Sequence, residues 1–350
     1  MTSRYGIHTI AFFHRLSRKW FDVVLNHLKE NKSGKFYPDE TYHSDTGMEK
    51  YVSTAFSKRG AVIYLYRQKR SKNKTEKNLA CSMRLRVNPL SLIHGKYDPK
   101  GVFQAKKKQL ADFESNMNEL LQELGLSITF EDLALSRVDC CLDLFPDTQE
   151  WVDEALRVIR RSKVMKSYKE QRFPKADPNH KEKNKHSWRV RCKTTTITAY
   201  DKTFQLLEEE LIEQYDAPML RFEISRTSAK FKRGLSDEIK GSNKKILHTV
   251  MEDSEKEIHK YLKSIHADEP FVKYEECIRQ IETIPSKKKR MHMKLLTDKL
   301  SDCKSYWQAV ENSKLSASQL RAAEKAFQEL GISPISLRNQ TPFDKLQIIE

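Results

Sequence analysis

The chain has 350 residues, of which 38% are hydrophobic and 32% charged, enough for one large or two ordinary domains with a thin core and a highly charged surface. Its 64 Lys and Arg outnumber 48 Asp and Glu to give a formal charge of +16, which favours a polyanionic partner, nucleic acid first. No run approaches the roughly 18 apolar residues of a membrane span and the N-terminus lacks the apolar core of a secretory signal, so the expectation is a cytoplasmic protein without a membrane partner.

Gly6–Phe13 reads as a first strand, followed by a helix carrying Leu16, Trp20, Val23, Val24 and Leu28 at helical spacing. Ala61–Tyr66 is a short β-prone run, 69–77 reads as an exposed basic hairpin tip, and Ala80–Val87 returns as a strand. In that strand Cys81, Met83, Leu85 and Val87 share one face, and Ser82, Arg84 and Arg86 the other. Gln104–Leu124 reads as a long helix closed by Gly125. Leu135–Phe145 alternates so that Val138, Cys140, Leu142 and Leu144 point inward, while Arg137, Asp139 and Asp143 share the opposite face with Cys141.

Pro146–Ser162 resembles a helix, and 163–193 holds the densest positive charge, including Lys185, Arg189 and Arg191, interleaved with Tyr168, Phe173 and Trp188. The run 194–202 then alternates with Thr196, Thr198 and Tyr200 on a polar face, a short helix follows, and 219–226 places Arg221 and Glu223 opposite Leu220, Phe222 and Ile224. From about Arg233 the pattern turns to helices, the last starting at Ser316 and stopping at Gly331. None of the six cysteines forms a C-x-x-C pair, so buried thiols are expected rather than a zinc site or a disulfide framework.

Strands with one apolar and one polar face imply an α+β fold, an antiparallel sheet with helices on one face, followed by a helical C-terminal region. The expected division is a domain over 1–235 and a helical one over 236–350. The polar face would gather Arg84, Arg86, Arg137, Asp139, Asp143, Tyr200, Arg221 and Glu223. Carboxylates beside a phosphate binder call for a divalent cation, and oxygen ligands suit Mg²⁺ or Mn²⁺. A phenol near such a metal ion and flanking cations that stabilise the phenolate can attack a phosphodiester, with Tyr200 leading because its strand continues into Lys202.

The segments Ser136–Asp139, Thr196–Lys202 and Leu220–Glu223, with Lys230 and Phe231 downstream, resemble the replication initiators of filamentous phages and related plasmids, the replication protein II/X type. That resemblance covers roughly residues 130–235. It implies rolling-circle replication: one origin strand is nicked through a tyrosine that keeps the 5′ end, and the 3′ end is left for the host replication machinery. Carried onto this chain, Tyr200 is the nucleophile, Asp139 and Glu223 belong to the metal or active-site centre, and Lys202 is a phosphate-facing cation. Asp143 joins the metal set by strand alternation alone. Arg84, Arg86, Arg137, Lys185, Arg189, Arg191 and Arg221 are the candidate DNA contacts. The chain lacks the His-x-His metal motif of many nicking enzymes, which favours carboxylate ligands. A conjugative relaxase and a non-enzymatic nucleic-acid-binding protein are the alternatives.

Overall fold

A computed structural model describes residues 1–30, 36–38, 48–68, 80–213, 217–265 and 267–349. The expected basic hairpin tip at 69–77 lies outside them.

Strand β1 (Thr2–Leu16) leads into α1 (Arg18–Glu30), which buries Phe21, Val24, Leu25 and Leu28 at helical spacing. Strands β2 (Phe36–Pro38), β3 (Met48–Ser53), β4 (Ala61–Gln68) and β5 (Cys81–Val87) follow. Next are α2 (Pro89–His94), which Asn88 caps by accepting from the Ser91 N–H at 3.0 Å, and α3 (Lys107–Glu123). Gly125, at φ 73, closes α3 in the left-handed conformation that glycine tolerates best. Strand β6 (Ala134–Phe145) then runs into α4 (Gln149–Arg161), whose N-cap Thr148 accepts from the Trp151 N–H.

Beyond α4 come β7 (Lys169–Glu170), α5 (His180–Lys185), β8 (Ser187–Arg191), β9 (Thr195–Asp201), α6 (Lys202–Glu208) and β10 (Leu220–Thr227). The C-terminal region is helical. It contains α7 (Ser228–Phe231), α8 (Asp237–Lys240), α9 (Asn243–Glu252) and α10 (Ser254–Ser264), then β11 (Phe271–Val272). Helices α11 (Tyr274–Glu282), α12 (Lys287–Asp302), α13 (Tyr306–Ser313) and α14 (Ala317–Leu330) precede β12 (Lys345–Leu346).

The chain divides into two compact units that interleave along the sequence: Tyr5–Cys141 with Ser225–Ser254, and Met1–Arg4 with Leu142–Ile224 and Glu255–Glu350. In the first, the strand order is β2-β3-β4-β5-β1-β6, and the pairs among β1 to β5 are antiparallel. Its core packs Phe12, Phe113 and Phe130, with ring centroids 5.6 to 6.4 Å apart, under α3. In the second, the order is β6-β10-β9-β8-β7, with β7, β8 and β9 antiparallel. Helix α4 buries Val152, Ala155, Leu156 and Ile159 and lies against β8 and β9, while α12 packs on α13 and α14. The α+β class with an antiparallel sheet and a helical C-terminal region is therefore the observed architecture.

Candidate active site

Strand β9 ends where α6 begins, and that junction places three adjacent side chains differently. Ile197, Ala199 and Asp201 are buried, whereas Tyr200 is half-exposed on the opposite side of the strand. Asp201 caps α6 by accepting from the Phe204 N–H at 2.9 Å. Lys202 enters the first turn with 1% of its surface exposed, its Nζ donating to Gln205 Oε1 at 3.0 Å and lying 5.9 Å from the centre of the Tyr200 ring. Burial, reinforced by the Arg221 guanidinium, pushes the Lys202 ammonium down to about 8. The Tyr200 hydroxyl donates across to Glu223 Oε2 of β10 at 3.5 Å.

The register of β8 on β9 sets Ser187 opposite Tyr200, Arg189 opposite Thr198 and Arg191 opposite Thr196. Directly opposed residues share a face of the sheet, so Arg189 and Arg191, both exposed, stand on the side that carries Tyr200. Arg189 also lies 5.9 Å from the centre of the Phe173 ring. Lys185 is exposed at the end of α5 and sits 3.8 Å from Glu182.

Arg221 and Asp143 depart from their expected settings. The Arg221 Nε donates to Asp143 Oδ1 at 2.5 Å and its Nη2 to Oδ2 at 2.8 Å, with both side chains wholly buried. Arg4 adds a third contact, to Asp143 Oδ2 at 3.0 Å. Arg221 is thus a buried partner for a carboxylate rather than a surface contact for DNA. Asp143 is a counter-ion with both oxygens engaged, not an open metal ligand. Strand alternation assigns a face, but it does not say which polar side chains on that face fold back onto each other.

Asp139 belongs to the other unit, where Arg137 grips it through Nε–Oδ1 and Nη2–Oδ2 contacts, each of 2.6 Å. Arg137 also reaches Ser225 Oγ at 2.9 Å. Burial raises the Asp139 carboxyl, and Arg137, Ser225 and Arg86 pull in the opposite direction. Arg84 and Arg86 are exposed on β5.

Among the described residues, one further group converges with metal-ligand chemistry: Asp153, His186 and Asp201, whose ligand atoms lie within 4.8 Å of one another. His186 Nδ1 is 3.3 Å from Asp201 Oδ2, and the Gln149 amide donates to Asp201 Oδ2 at 2.7 Å and to Asp153 Oδ1 at 3.0 Å. The imidazole stacks on Phe204 with centroids 3.9 Å apart, which fixes its plane. Two carboxylates and an imidazole suit a divalent ion that accepts both oxygen and nitrogen, Mn²⁺ better than Mg²⁺. Sequence reading missed this group because its members come from α4, the end of α5 and the end of β9. No fixed spacing connects them.

No family model matches the chain, and no curated protein matches it. Among solved structures it is similar to a rolling circle replication initiator protein from Geobacillus stearothermophilus. The likeness has 10% identity and a TM-score of 0.32, and covers 75% of this chain and 85% of that one. No described helix is long and apolar enough to cross a membrane.

Proposed function

We propose that this protein nicks and rejoins one DNA strand at a replication origin through a covalent 5′-phosphotyrosine on Tyr200, and so initiates rolling-circle replication. The observation that carries the reading is a half-exposed phenol with a carboxylate 3.5 Å from its hydroxyl and a buried lysine against its ring, on a sheet face bearing Arg189 and Arg191. Those five groups supply a nucleophile, a proton acceptor and two kinds of positive charge.

In the cleavage step the Tyr200 oxygen bonds to the scissile phosphorus and its proton passes to Glu223. The bond from phosphorus to the 3′ oxygen breaks, and that oxygen takes a proton from solvent to leave as a 3′-hydroxyl. The phosphodiester bond is exchanged for a phosphotyrosine bond, so a later attack by a 3′-hydroxyl reverses the step and reseals the strand. Lys202 offsets the charge that builds on the phenolate, while Arg189 and Arg191 hold the flanking phosphates.

A Mg²⁺ or Mn²⁺ ion, when bound, adds charge stabilisation for the phosphate chemistry. The acidic set expected to hold it was Asp139, Asp143 and Glu223. Asp143 is sealed by Arg221 and Arg4, and Asp139 by Arg137. Asp153, His186 and Asp201 fit an ion by donor type. Asp201 alternates to the side of β9 away from Tyr200, so an ion there would brace the junction from which Tyr200 and Lys202 project.

The 3′-hydroxyl would serve the host polymerase in the cytoplasm, and the C-terminal helices would assist in recognising the origin. Incubation with an origin-bearing oligonucleotide, protease digestion and mass mapping tests the reading. A peptide carrying nucleotide on Tyr200 is expected, and Tyr200→Phe should abolish the adduct while DNA binding persists. An adduct on another residue, or equal loss of binding and nicking in Tyr200→Phe, would sink the assignment and leave a non-enzymatic nucleic-acid binder.

A further inference from the structure

We infer that the open face formed by β3, β4, β5 and β1 is a base-stacking platform for single-stranded DNA, an inference that rests on the proposed DNA-nicking function and extends it to the unpaired strand. The register fixes the composition of that face. Across adjacent strands Tyr64 of β4 stands opposite Arg84 of β5, and Arg84 opposite Phe13 of β1. One step along, Lys50 of β3 stands opposite Tyr66, and Val62 of β4 stands opposite Arg86. Directly opposed residues point to the same side, so one row across the strands runs Val52, Tyr64, Arg84 and Phe13 and the next runs Lys50, Tyr66 and Ser82, with two rings in succession along β4 and two arginines in succession along β5.

Burial agrees with this parity. Ile63, Leu65, Met83 and Leu85 are buried on one side, while on the other Phe13, Tyr64 and Tyr66 are half-exposed, Arg84 and Arg86 are exposed, and Val52 opposite Tyr64 is buried. Lys50 lies 5.5 Å from the centre of the Tyr64 ring and Arg84 lies 5.8 Å from that of Tyr66, so the cations steady the rings from the side. Arg84 is held against the Tyr66 ring, and Arg86 acts electrostatically on the buried Asp139 of β6.

A solvated polar sheet face needs no aromatic rings, so rings exposed in this way call for a ligand with flat faces of its own. Rings that stack on bases, set among cations that follow phosphates, match an unpaired nucleic-acid strand on both counts. Tyr64 and Tyr66 are about 7 Å apart along β4, far enough for each to take a separate base. A duplex hides its base faces, which excludes it as the occupant.

The test uses the full chain carrying Tyr200→Phe, so that binding is read without cleavage. Fluorescence anisotropy would compare a labelled oligo-dT, an abasic oligomer of equal length, oligo-rU and a duplex. Oligo-dT is expected to bind at least 10-fold more tightly than the abasic strand and the duplex. Tyr64→Leu and Tyr66→Leu should each weaken oligo-dT by roughly 5- to 100-fold and leave the abasic strand unchanged. Tyr64→Trp, the variant least disturbing to the fold, should bind oligo-dT as well as the parent and lose indole fluorescence on binding.

Equal binding of dT and abasic strands, unaltered affinity in both leucine variants, or an unquenched Tyr64→Trp would overturn the platform. Preference for rU by 10-fold or more would overturn DNA as its occupant. Failure of the nicking function would show separately, as absence of the Tyr200 adduct in the wild-type protein.

Discussion

Arg221 and Asp143 form a wholly buried, two-point ion pair on neighbouring strands, 2.5 and 2.8 Å between their paired atoms. Taking two charges from water is costly, and the short paired contacts with Arg4 offset that cost only while all partners are present. Arg221→Met leaves the Asp143 carboxylate buried with Arg4 alone. A loss of about 3 to 5 kcal/mol in urea unfolding is expected. The double variant Arg221→Met with Asp143→Leu removes both charges and should recover part of that loss. If the double variant is the less stable by the sum of the singles, the pair is not coupled as described.

Lys202 is nearly enclosed, yet its ammonium lies against the Tyr200 ring and is lowered to about 8 by burial and then by Arg221. A cation held there without water is worth more to a developing phenolate than one at the surface. Lys202→Met keeps the stem and deletes the charge. The rate of adduct formation on a saturating oligonucleotide should fall by about 10²-fold, with oligonucleotide affinity within 3-fold of wild type. An equal fall in affinity and in rate would make Lys202 a general DNA contact and remove it from the chemistry.

Much of this arrangement is legible in the sequence because strand alternation is a strong signal. The outward Arg84 and Arg86, the inward Met83 and Leu85, and the half-exposed Tyr200 at the end of β9 all stand where period-2 spacing puts them. So do the end signals of helices: Gly125 after α3, Ser316 before α14 and Gly331 after it. Periodicity says nothing about which polar residues on one face neutralise each other. Asp143 and Arg221 look like an open ligand and a DNA contact until their 78-residue separation closes into one ion pair. Nor does it report side chains that meet from a helix, a turn and a strand end, as Asp153, His186 and Asp201 do. Those contacts belong to packing of α4 on β8 and β9.

That packing makes a separate expectation for metal. If Asp153, His186 and Asp201 take a divalent ion, the ion binds the folded chain in preference to the unfolded one and raises its melting temperature. At 100 times the dissociation constant the gain is about 2.7 kcal/mol. Mn²⁺ should therefore raise the midpoint of wild-type protein by several degrees and leave His186→Ala and Asp201→Asn unmoved relative to metal-free buffer. Asp201→Asn keeps the cap oxygen for the Phe204 N–H, so loss of the helix start is not an alternative cause. A shift of equal size in both variants places the ion elsewhere.

Glu269 gives stability a pH dependence that can be assigned in sign. Burial pushes its carboxyl up to about 7, the neighbouring Asp268 carboxylate adds to the rise, and Lys263 opposes it. Its Oε2 is buried without a hydrogen-bond partner. The folded chain therefore holds this proton more tightly than the unfolded one. Its stabilising contribution is complete below the ordinary glutamate range near 4.5 and is lost as pH rises through about 7. A displacement of this size corresponds to about 3 kcal/mol in full linkage, and the side chain is only half-buried, so screening brings the expected effect to roughly 1 kcal/mol. Urea unfolding between pH 5 and pH 8 should show wild-type stability declining relative to Glu269→Gln, which has no proton to lose. Two parallel profiles, or a variant that declines more steeply than wild type, would remove Glu269 as the source of the slope.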